Sequence, residues 1–210
     1  FEHIIVDGFS KDGTQKILKK NRKKFTKLII KKDNSMYEAL KTGFNVAKGK
    51  YFMWLNADDF LYNKYSLENL YHCLIKFKYN WINGRVSIYY NSKKKLFNFI
   101  PLVYPKKIIV NGLANNCFWG FIQQENTVFS KKIYKDVGGI NKNFKMAGDY
   151  DLWKRLAVKN SLKSINISIA VHRKWSNYNS PKGQLTNLNE YYKEIKKIRC
   201  KYNLLYPLRF

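Results

Sequence analysis

Residues 51–59 read Tyr-Phe-Met-Trp-Leu-Asn-Ala-Asp-Asp, so five consecutive apolar residues are followed closely by two adjacent acids. An apolar run of this length is typical of a strand buried on both faces, as in parallel sheets covered by helices. The carboxyl ends of such strands form the crevice in which open α/β sheets bind ligands. Because adjacent carboxylates repel each other, we expect a cation here, and a divalent metal that holds a diphosphate fits. A polar exit from a strand would leave the same pattern.

Strand and helix patterns alternate on both sides of this segment. The predicted strands are residues 3–6, 28–30, 51–55, 82–90, 96–100 and 164–171. The predicted helices are residues 14–24, 35–49, 66–77, 131–137, 149–159 and 189–202. Thr14 and Ser35 are the expected N-caps of the first two helices. This order predicts an α/β fold with an open, mainly parallel sheet flanked by helices.

The composition is that of a folded, single-domain protein. The 210 residues suffice for one sizeable core, and 45% hydrophobic residues with 17% aromatic residues exclude a disordered chain. No apolar run approaches the ~20 residues that span a bilayer, and the first residues do not resemble a secretory signal. Cys73, Cys117 and Cys200 are widely spaced and form no CxxC pair, so neither a zinc site nor a disulfide framework is indicated. We therefore expect a cytoplasmic protein, in which Cys73 is a core residue on a helix.

The net charge of +26 comes from 40 Lys and Arg residues against 14 Asp and Glu residues. Such an excess is typical of proteins that bind nucleic acid or an anionic membrane, but codon bias in an AT-rich genome produces it as well. Whatever its origin, a field this positive attracts nucleotide-sugars and acidic lipid headgroups.

Four segments together resemble the family-2 inverting glycosyltransferases of the GT-A fold. They are residues 3–14, a strand that ends in an acid before a Gly-rich turn; residues 55–59; residues 123–129 with Val137-Gly138-Gly139; and residues 146–153, which open a helix with two acids. The resemblance extends from His3 to about Arg199. It implies one glycosyltransferase domain over residues 1–210, with a C-terminal helix and tail over residues 187–210. Family members have an apolar strand and a helix ahead of the segment that opens this chain, so we expect both to be missing here.

The resemblance assigns several residues to the donor side. Asp7 would accept the N3–H of a uracil-type base, which suits a carboxylate because it only accepts hydrogen bonds; an Asx turn with Gly8 explains Asp7 equally well. Asn56-Ala57-Asp58 occupies the place of the family's Asp-x-Asp motif. There Asn56 would contact a ribose hydroxyl, and Asp58 would bind Mn²⁺ or Mg²⁺ and link it to the diphosphate.

Three residues near these carry weaker expectations. Asp59 is expected to shape the turn or support the site from outside. Arg173 matches a family arginine near the phosphates, and His172 is expected to pack. The family often has a histidine two residues beyond that arginine, but this chain has Trp175, which puts a metal-ligand role there in doubt.

Helical spacing separates the two acids that open the helix at residues 149–159. Asp149 shares a face with the apolar residues three, four and seven positions later, so it points towards the protein. Asp151 lies four residues before Arg155 and is expected to form a surface ion pair with it. Asp149 is therefore the candidate catalytic base. Its alternative role is to cap the helix.

Gln123, Gln124 and Glu125 would line the acceptor side, as the resemblance implies, because amides and a carboxylate suit sugar hydroxyls. A plain polar loop would contain the same residues.

The leading hypothesis is a transferase that moves a sugar from a UDP-linked donor to a hydroxyl of a cell-surface glycan, with inversion. Its acceptor would be a glycan or a lipid-linked glycan, its location cytoplasmic with peripheral contact at the inner membrane face, and nucleic acid is not an expected partner. The alternative is a basic domain that binds single-stranded nucleic acid through stacking tyrosines, although the sequence contains no RNP, KH or zinc pattern. A nucleotidyltransferase would need a Gly-rich phosphate loop, and the sequence has none.

Overall fold

The computed structural model describes residues 1–91, 93–116, 120–174 and 188–201. The strands in these ranges are β1 (Ile4–Asp7), β2 (Lys27–Ile30), β3 (Tyr51–Phe52), β4 (Phe60–Leu61), β5 (Trp81–Asn83), β6 (Val86–Tyr90), β7 (Lys95–Phe99), β8 (Asn115–Asn116), β9 (Gly120–Phe121), β10 (Thr127–Ser130), β11 (Lys163–Ser164) and β12 (Ala170–Lys174). The α-helices are α1 (Thr14–Lys20), α2 (Met36–Val46), α3 (Ser66–Phe77), α4 (Lys106–Val110), α5 (Lys131–Asp136), α6 (Gly148–Lys159) and α7 (Leu188–Lys201). Short 3₁₀ turns cover Arg22–Lys24 and Gln124–Asn126.

The strands form four sheets that mix parallel and antiparallel pairs. Their orders are β1-β2, β11-β5-β10-β3, β4-β12-β6-β7 and β8-β9. The α/β class with helices flanking sheets is confirmed, but the prediction of a mainly parallel arrangement is wrong. Strand β6 ends at Tyr90 and β7 begins at Lys95, which is too short a connection for a parallel crossover, so the two strands pair antiparallel. Strand β10 likewise runs antiparallel to both of its neighbours.

Aromatic rings from the sheet and from α6 form the centre of the core. The Trp153 ring of α6 stacks on Trp54 at 5.5 Å and on Trp81 at 5.8 Å between centroids. Phe129 of β10 contacts Trp153 edge to face. Because large aromatic side chains supply much of the apolar area that a core buries, these contacts fix α6, and with it the acid at its second position, against the sheet.

Several predicted elements differ in length from those observed. The run at residues 51–55 forms a strand only over Tyr51–Phe52, and the predicted strand at residues 82–90 is divided into β5 and β6. Gly84 lies at the division, where a Cβ atom would come within 2.6 Å of the Ile167 carbonyl oxygen. The chain changes sheets at this close approach, since β5 pairs with β10 whereas β6 pairs with β12.

The predicted caps and cysteine positions have mixed outcomes. Ser35 does cap α2, where its Oγ accepts a hydrogen bond from the Glu38 N–H at 3.2 Å. Thr14 does not cap α1, because Gly13 holds that position with a φ of 92°. Cys73 is buried on α3, as predicted. Cys117 and the side chain of Cys200 lie outside the described residues.

Candidate active site

A tight turn separates the two acids that follow β3. The Asp59 N–H donates to the Asn56 carbonyl at 3.1 Å, which reverses the chain over residues 56–59. Asp58 lies at the tip of this turn and is exposed. The Asp59 side chain is completely buried, and its Oδ1 accepts a hydrogen bond from the Arg173 N–H at 3.1 Å. The turn therefore leaves one carboxylate open to ligands and uses the other to hold β12.

Asp59, Glu125 and His172 form a compact cluster, in which one ligand atom from each residue lies within 4.8 Å of the others. His172 Nδ1 is 3.3 Å from Asp59 Oδ1 and 3.5 Å from Glu125 Oε1. Glu125 reaches the cluster from the 3₁₀ turn because its neighbour Asn126 ties that turn to β12, accepting the Ala170 N–H at 2.9 Å. Three distant segments thus converge on one point.

The ionisation of these groups is coupled. Burial raises the pKa of Glu125 to about 7, the charge of His172 opposes that shift, and the charges of Asp59 and Asp149 add to it. Burial would lower the pKa of His172, but its hydrogen bond to Asp59 and the charge of Glu125 outweigh burial, so its pKa is raised. The influence of Asp149 on Glu125 connects the start of α6 electrostatically to the cluster.

The cluster suits a divalent cation. Asp59 Oδ2 and Glu125 Oε1 are buried and lack a hydrogen-bond partner among the described residues. Two carboxylates and an imidazole are donors that Mn²⁺ accepts, whereas Mg²⁺ prefers oxygen ligands alone. Sequence reasoning gave Asp59 a supporting role and His172 a packing role, so it did not place either in this cluster. The available signal was that His172 lies at the end of a predicted strand.

Asp149 lies at the start of α6, half-buried, against the side chain of Tyr37. The Tyr37 hydroxyl is 3.1 Å from Asp149 Oδ1 and 3.0 Å from the Met146 carbonyl oxygen, to either of which it can donate. Gly148 allows this approach, since a Cβ atom there would meet the Tyr37 ring at 2.8 Å. The N-cap of α6 is Ala147 rather than Asp149. The capping role considered for Asp149 is therefore not what the helix uses.

Burial raises the pKa of Asp149, although the Tyr150 N–H and the Tyr37 hydroxyl favour the ionised form. The charge of Glu194, on α7, adds to the increase. A carboxylate with a raised pKa next to other titratable groups is typical of catalytic acids and bases.

Glu194 also binds the segment that leads into α6, a contact that sequence reasoning missed. Its carboxylate accepts hydrogen bonds from the N–H groups of Lys145 at 2.8 Å, Met146 at 2.9 Å and Ala147 at 2.9 Å. Glu194 therefore fixes the segment that leads into α6 from another helix, and more than forty residues separate the partners. No local pattern in the sequence could reveal a contact of this kind.

Asp151 forms the predicted ion pair with Arg155, but the pair is buried rather than on the surface. Arg155 Nη2 is 2.6 Å from Asp151 Oδ2, and the two side chains are only 18% and 3% exposed. Arg155 Nη1 also donates to the carbonyl oxygens of Val137 and Gly139, at 2.7 Å each. The prediction of a surface pair was wrong because the loop around Gly139 covers this side of the helix.

Asp7, at the end of β1, accepts local hydrogen bonds, but from Ser10 and not in the Asx turn with Gly8 that was its alternative role. Its Oδ2 accepts the Ser10 N–H at 3.0 Å, its Oδ1 accepts the Ser10 hydroxyl at 2.5 Å, and the residue is 6% exposed. Asp33 lies nearby, and a Cβ atom on Gly8 would be 2.8 Å from Asp33 Oδ2. Burial, followed by the charges of Glu38 and Asp7, raises the pKa of Asp33. Binding of a nucleotide base by Asp7 stays a prediction.

The other predicted site residues are spread around the cluster. The Arg173 guanidinium lies 5.2 Å from the centre of the Phe60 ring, on the opposite side of β12 from His172 because side chains alternate along a strand. The Gln123 side chain binds the backbone of Ser87, accepting from its N–H and donating to its carbonyl. Gln124 is buried next to Glu125. Trp175 lies outside the described residues.

Comparison of the sequence with protein families matches residues 1–138 to glycosyl transferase family 2. None of the curated proteins matches the chain.

Solved structures share the fold. The crystal structure of S. aureus TarS 1–349 superposes with a TM-score of 0.68 and 14% identity, over 100% of this chain and 58% of that one. The structure of TarS 1–349 in complex with UDP superposes with a TM-score of 0.65 and 16% identity, over the same shares of the two chains. The mannosyltransferase PcManGT from Pyrobaculum calidifontis, in complex with GDP-Man and Mn²⁺, gives 0.59 and 14%, over 97% of this chain and 59% of that one. The chain thus spans less than two thirds of these relatives, and at such identities the likeness shows the fold alone, which is the GT-A fold. The sequence match over residues 1–138 goes further: the chain belongs to glycosyl transferase family 2.

Proposed function

We propose that this chain transfers a sugar from a nucleoside-diphosphate donor to a hydroxyl of a glycan or lipid-linked glycan, with inversion at the anomeric carbon. The observation that carries the proposal is the half-buried Asp149, whose raised pKa and contact with Tyr37 suit a base, close enough to the Asp59–Glu125–His172 cluster to influence Glu125. Membership of glycosyl transferase family 2 supports the class of reaction.

The donor would bind at the turn of residues 56–59. Asp58 is exposed at the tip and is free to bind a cation, while Asn56 and Asp7 would contact the ribose and the base. A divalent ion held by Asp58 together with the Asp59–Glu125–His172 cluster would neutralise the charge that develops on the leaving diphosphate. Uridine is the proposed base, since a carboxylate such as Asp7 can accept the N3–H of uracil, and a structural neighbour was crystallised with UDP.

Asp149 would act as the general base. The acceptor hydroxyl would give its proton to the Asp149 carboxylate. At the same time, the oxygen of that hydroxyl would form a bond to the anomeric carbon of the donor sugar. The bond from that carbon to the diphosphate oxygen breaks on the opposite side, and the bonding electrons leave with the nucleoside diphosphate. Gln124 and Glu125 are buried, so this segment, held by the bonds of Gln123 to Ser87, would support the acceptor side from within the protein.

Calorimetric titration with a panel of nucleoside diphosphates, with Mn²⁺ and with EDTA, tests the donor half of the proposal. We expect UDP to bind only when Mn²⁺ is present. This binding should persist at high salt. Binding of single-stranded nucleic acid that weakens steeply with salt, without any binding of nucleoside diphosphates, would instead support the nucleic-acid alternative. Asp58→Asn is the matched variant, and it should bind UDP about 10- to 100-fold more weakly in the presence of Mn²⁺.

A further inference from the structure

Strand β7 and the loop after it expose an unusual amount of apolar surface. Phe99 is 50% exposed, Ile100 73% and Val103 72%, and Leu96, Phe97 and Leu102 also exceed a third. Single exposed apolar residues are common on soluble proteins, but a contiguous group of this kind marks a binding surface. We call residues 96–103 the apolar segment.

The apolar segment is ordered by specific contacts. The Phe97 ring stacks near Phe99 at 6.3 Å and meets the Tyr90 ring edge to face at 5.4 Å. Beyond the strand, the Leu102 carbonyl accepts a hydrogen bond from the Ser164 hydroxyl at 2.5 Å. The buried Tyr104 then donates to the Phe121 carbonyl at 2.7 Å. The exposed side chains are therefore presented by a fixed backbone.

Lysines flank the apolar segment at both ends. Lys93, Lys94 and Lys95 precede it, Lys106 and Lys107 follow it, and all five are exposed. Between Glu68 and Glu125 the sequence contains eight Lys and Arg residues and no acid. The surface therefore combines apolar side chains with positive charge that no acid of the same stretch offsets.

We propose that the apolar segment and its flanking lysines dock the protein on an anionic lipid bilayer. Apolar side chains would enter the boundary between headgroups and acyl chains, while the lysines bind anionic headgroups. A second copy of the chain fits less well, because a symmetric contact would bring these lysines close to their equals on a molecule of net charge +26. A nucleic acid would use the lysines but gives exposed Ile100, Leu102 and Val103 no partner.

The same face of the sheet leads towards the candidate active site. His172 pairs with Ile88, and Ile88 pairs with Phe97, so these three side chains lie on one side of the sheet. A chain docked through Phe97 and Phe99, which share this face, would hold the His172 side of the site towards the bilayer. None of the described helices is long and apolar enough to cross a membrane. The docking proposal goes beyond the proposed reaction and does not depend on it.

Sedimentation with phosphatidylcholine vesicles, with and without phosphatidylglycerol, tests the proposal. We expect the chain to bind phosphatidylglycerol vesicles, and the double variant Ile100→Ser/Val103→Ser to bind them about tenfold or more weakly because it loses apolar burial. Both substitutions lie at highly exposed positions, so folding should not change. The matched control is Ile17→Ser/Val158→Ser, which replaces two exposed apolar residues elsewhere (64% and 53%) and should bind like the original chain.

A second pair of variants separates this surface from general positive charge. Lys106→Gln/Lys107→Gln should weaken binding by about fivefold per lysine, whereas Lys19→Gln/Lys20→Gln, with the same loss of charge on α1, should have a smaller effect. The proposal is wrong if the chain does not bind phosphatidylglycerol vesicles. It is also wrong if each test variant loses no more vesicle affinity than its matched control. It is also wrong if the apolar double variant changes only self-association in sedimentation velocity, since a second copy is then the occupant.

Discussion

The turn at residues 56–59 and the first turn of α6 each carry two acids, and in both places the two acids do different things. One acid of each pair is buried against a basic side chain: Asp59 with His172, and Asp151 with Arg155. The other, Asp58 or Asp149, has no ion pair within the described residues. The comparison shows that neighbouring carboxylates can have different roles. One acid of each pair binds a basic side chain of the protein, while its neighbour remains available to a ligand.

The two regions differ in how the free acid is kept. Asp58 is exposed at the tip of a turn, where its carboxylate can reach a cation from solvent. Asp149 is half-buried, and burial raises its pKa. A base needs affinity for a proton, whereas a metal ligand needs a stable negative charge, so each environment matches the role we propose for its acid.

The largest expected effect separates the two acids of α6. Asp149→Asn should lower the transfer rate by ~10²–10⁴-fold, because general-base help is lost, with little change in melting temperature. Asp151→Asn should keep the intrinsic rate but lower the free energy of unfolding by about 3 kcal/mol, since it breaks a buried ion pair. Single-turnover rates and thermal melts of both variants measure the difference. Equal loss of rate in the two variants would remove the distinction.

Next in size is the corresponding test at the turn. Asp58→Asn should weaken Mn²⁺-dependent UDP binding by about 10- to 100-fold, the range expected for losing one charged interaction, and leave stability unchanged. Asp59→Asn should in addition destabilise the fold, because Asp59 holds the Arg173 N–H and His172. Calorimetry with Mn²⁺ and thermal melts measure the two effects. Retention of UDP affinity by Asp58→Asn would contradict the assignment of Asp58.

How far the sequence predicted these roles depends on local regularity. Helical spacing paired Asp151 with Arg155 correctly, because the angle between successive residues of a helix is fixed. It did not predict that Asp151 would be the more buried of the two acids, because that depends on the loop around Gly139. The same reasoning could not separate Asp58 from Asp59, since the direction of each side chain depends on a hydrogen bond inside an irregular turn. The fold class followed from alternating strand and helix patterns. The strand directions depend on the lengths of the connections, and these could not be read from the sequence because the predicted strand boundaries were wrong by a few residues. The cluster at His172 and the contacts of Glu194 join residues far apart in the chain, so no local pattern contained them.

A smaller effect concerns pH. Because the pKa of Asp149 is raised, the transfer rate should increase with pH through a midpoint above the ordinary value of 3.8 for an aspartate. Tyr37→Phe removes a donor that favours the ionised form, so this midpoint should move to higher pH. The folded state binds more protons at Asp149 than the unfolded state between the two pKa values, so this group makes stability fall as pH rises through that range. Asp149→Asn should abolish that part of the dependence, as melts across pH can show.

Glu194→Gln should give the smallest change in rate. It should move the midpoint of the pH–rate profile in the direction opposite to Tyr37→Phe. The charge of Glu194 helps to raise the pKa of Asp149, so its removal should move the midpoint of the rate profile to lower pH. Stability should fall by about 1–3 kcal/mol, because the N–H groups of Lys145, Met146 and Ala147 lose a charged acceptor. A midpoint that moves the same way in Tyr37→Phe and Glu194→Gln would contradict the effect on Asp149 that we assign to one of them.

The most direct test of the central claim is the anomeric configuration of the first product. Water can replace the unidentified acceptor, so proton NMR can follow hydrolysis of the α-linked UDP-sugar that binds best with Mn²⁺. An Asp149 base that activates the attacking hydroxyl requires inversion, so the β-anomer of the free sugar should form first and then equilibrate. Asp149→Asn should form it at least ~10²-fold more slowly. If the α-anomer appears first, the reaction retains configuration, and the role that we assign to Asp149 is wrong.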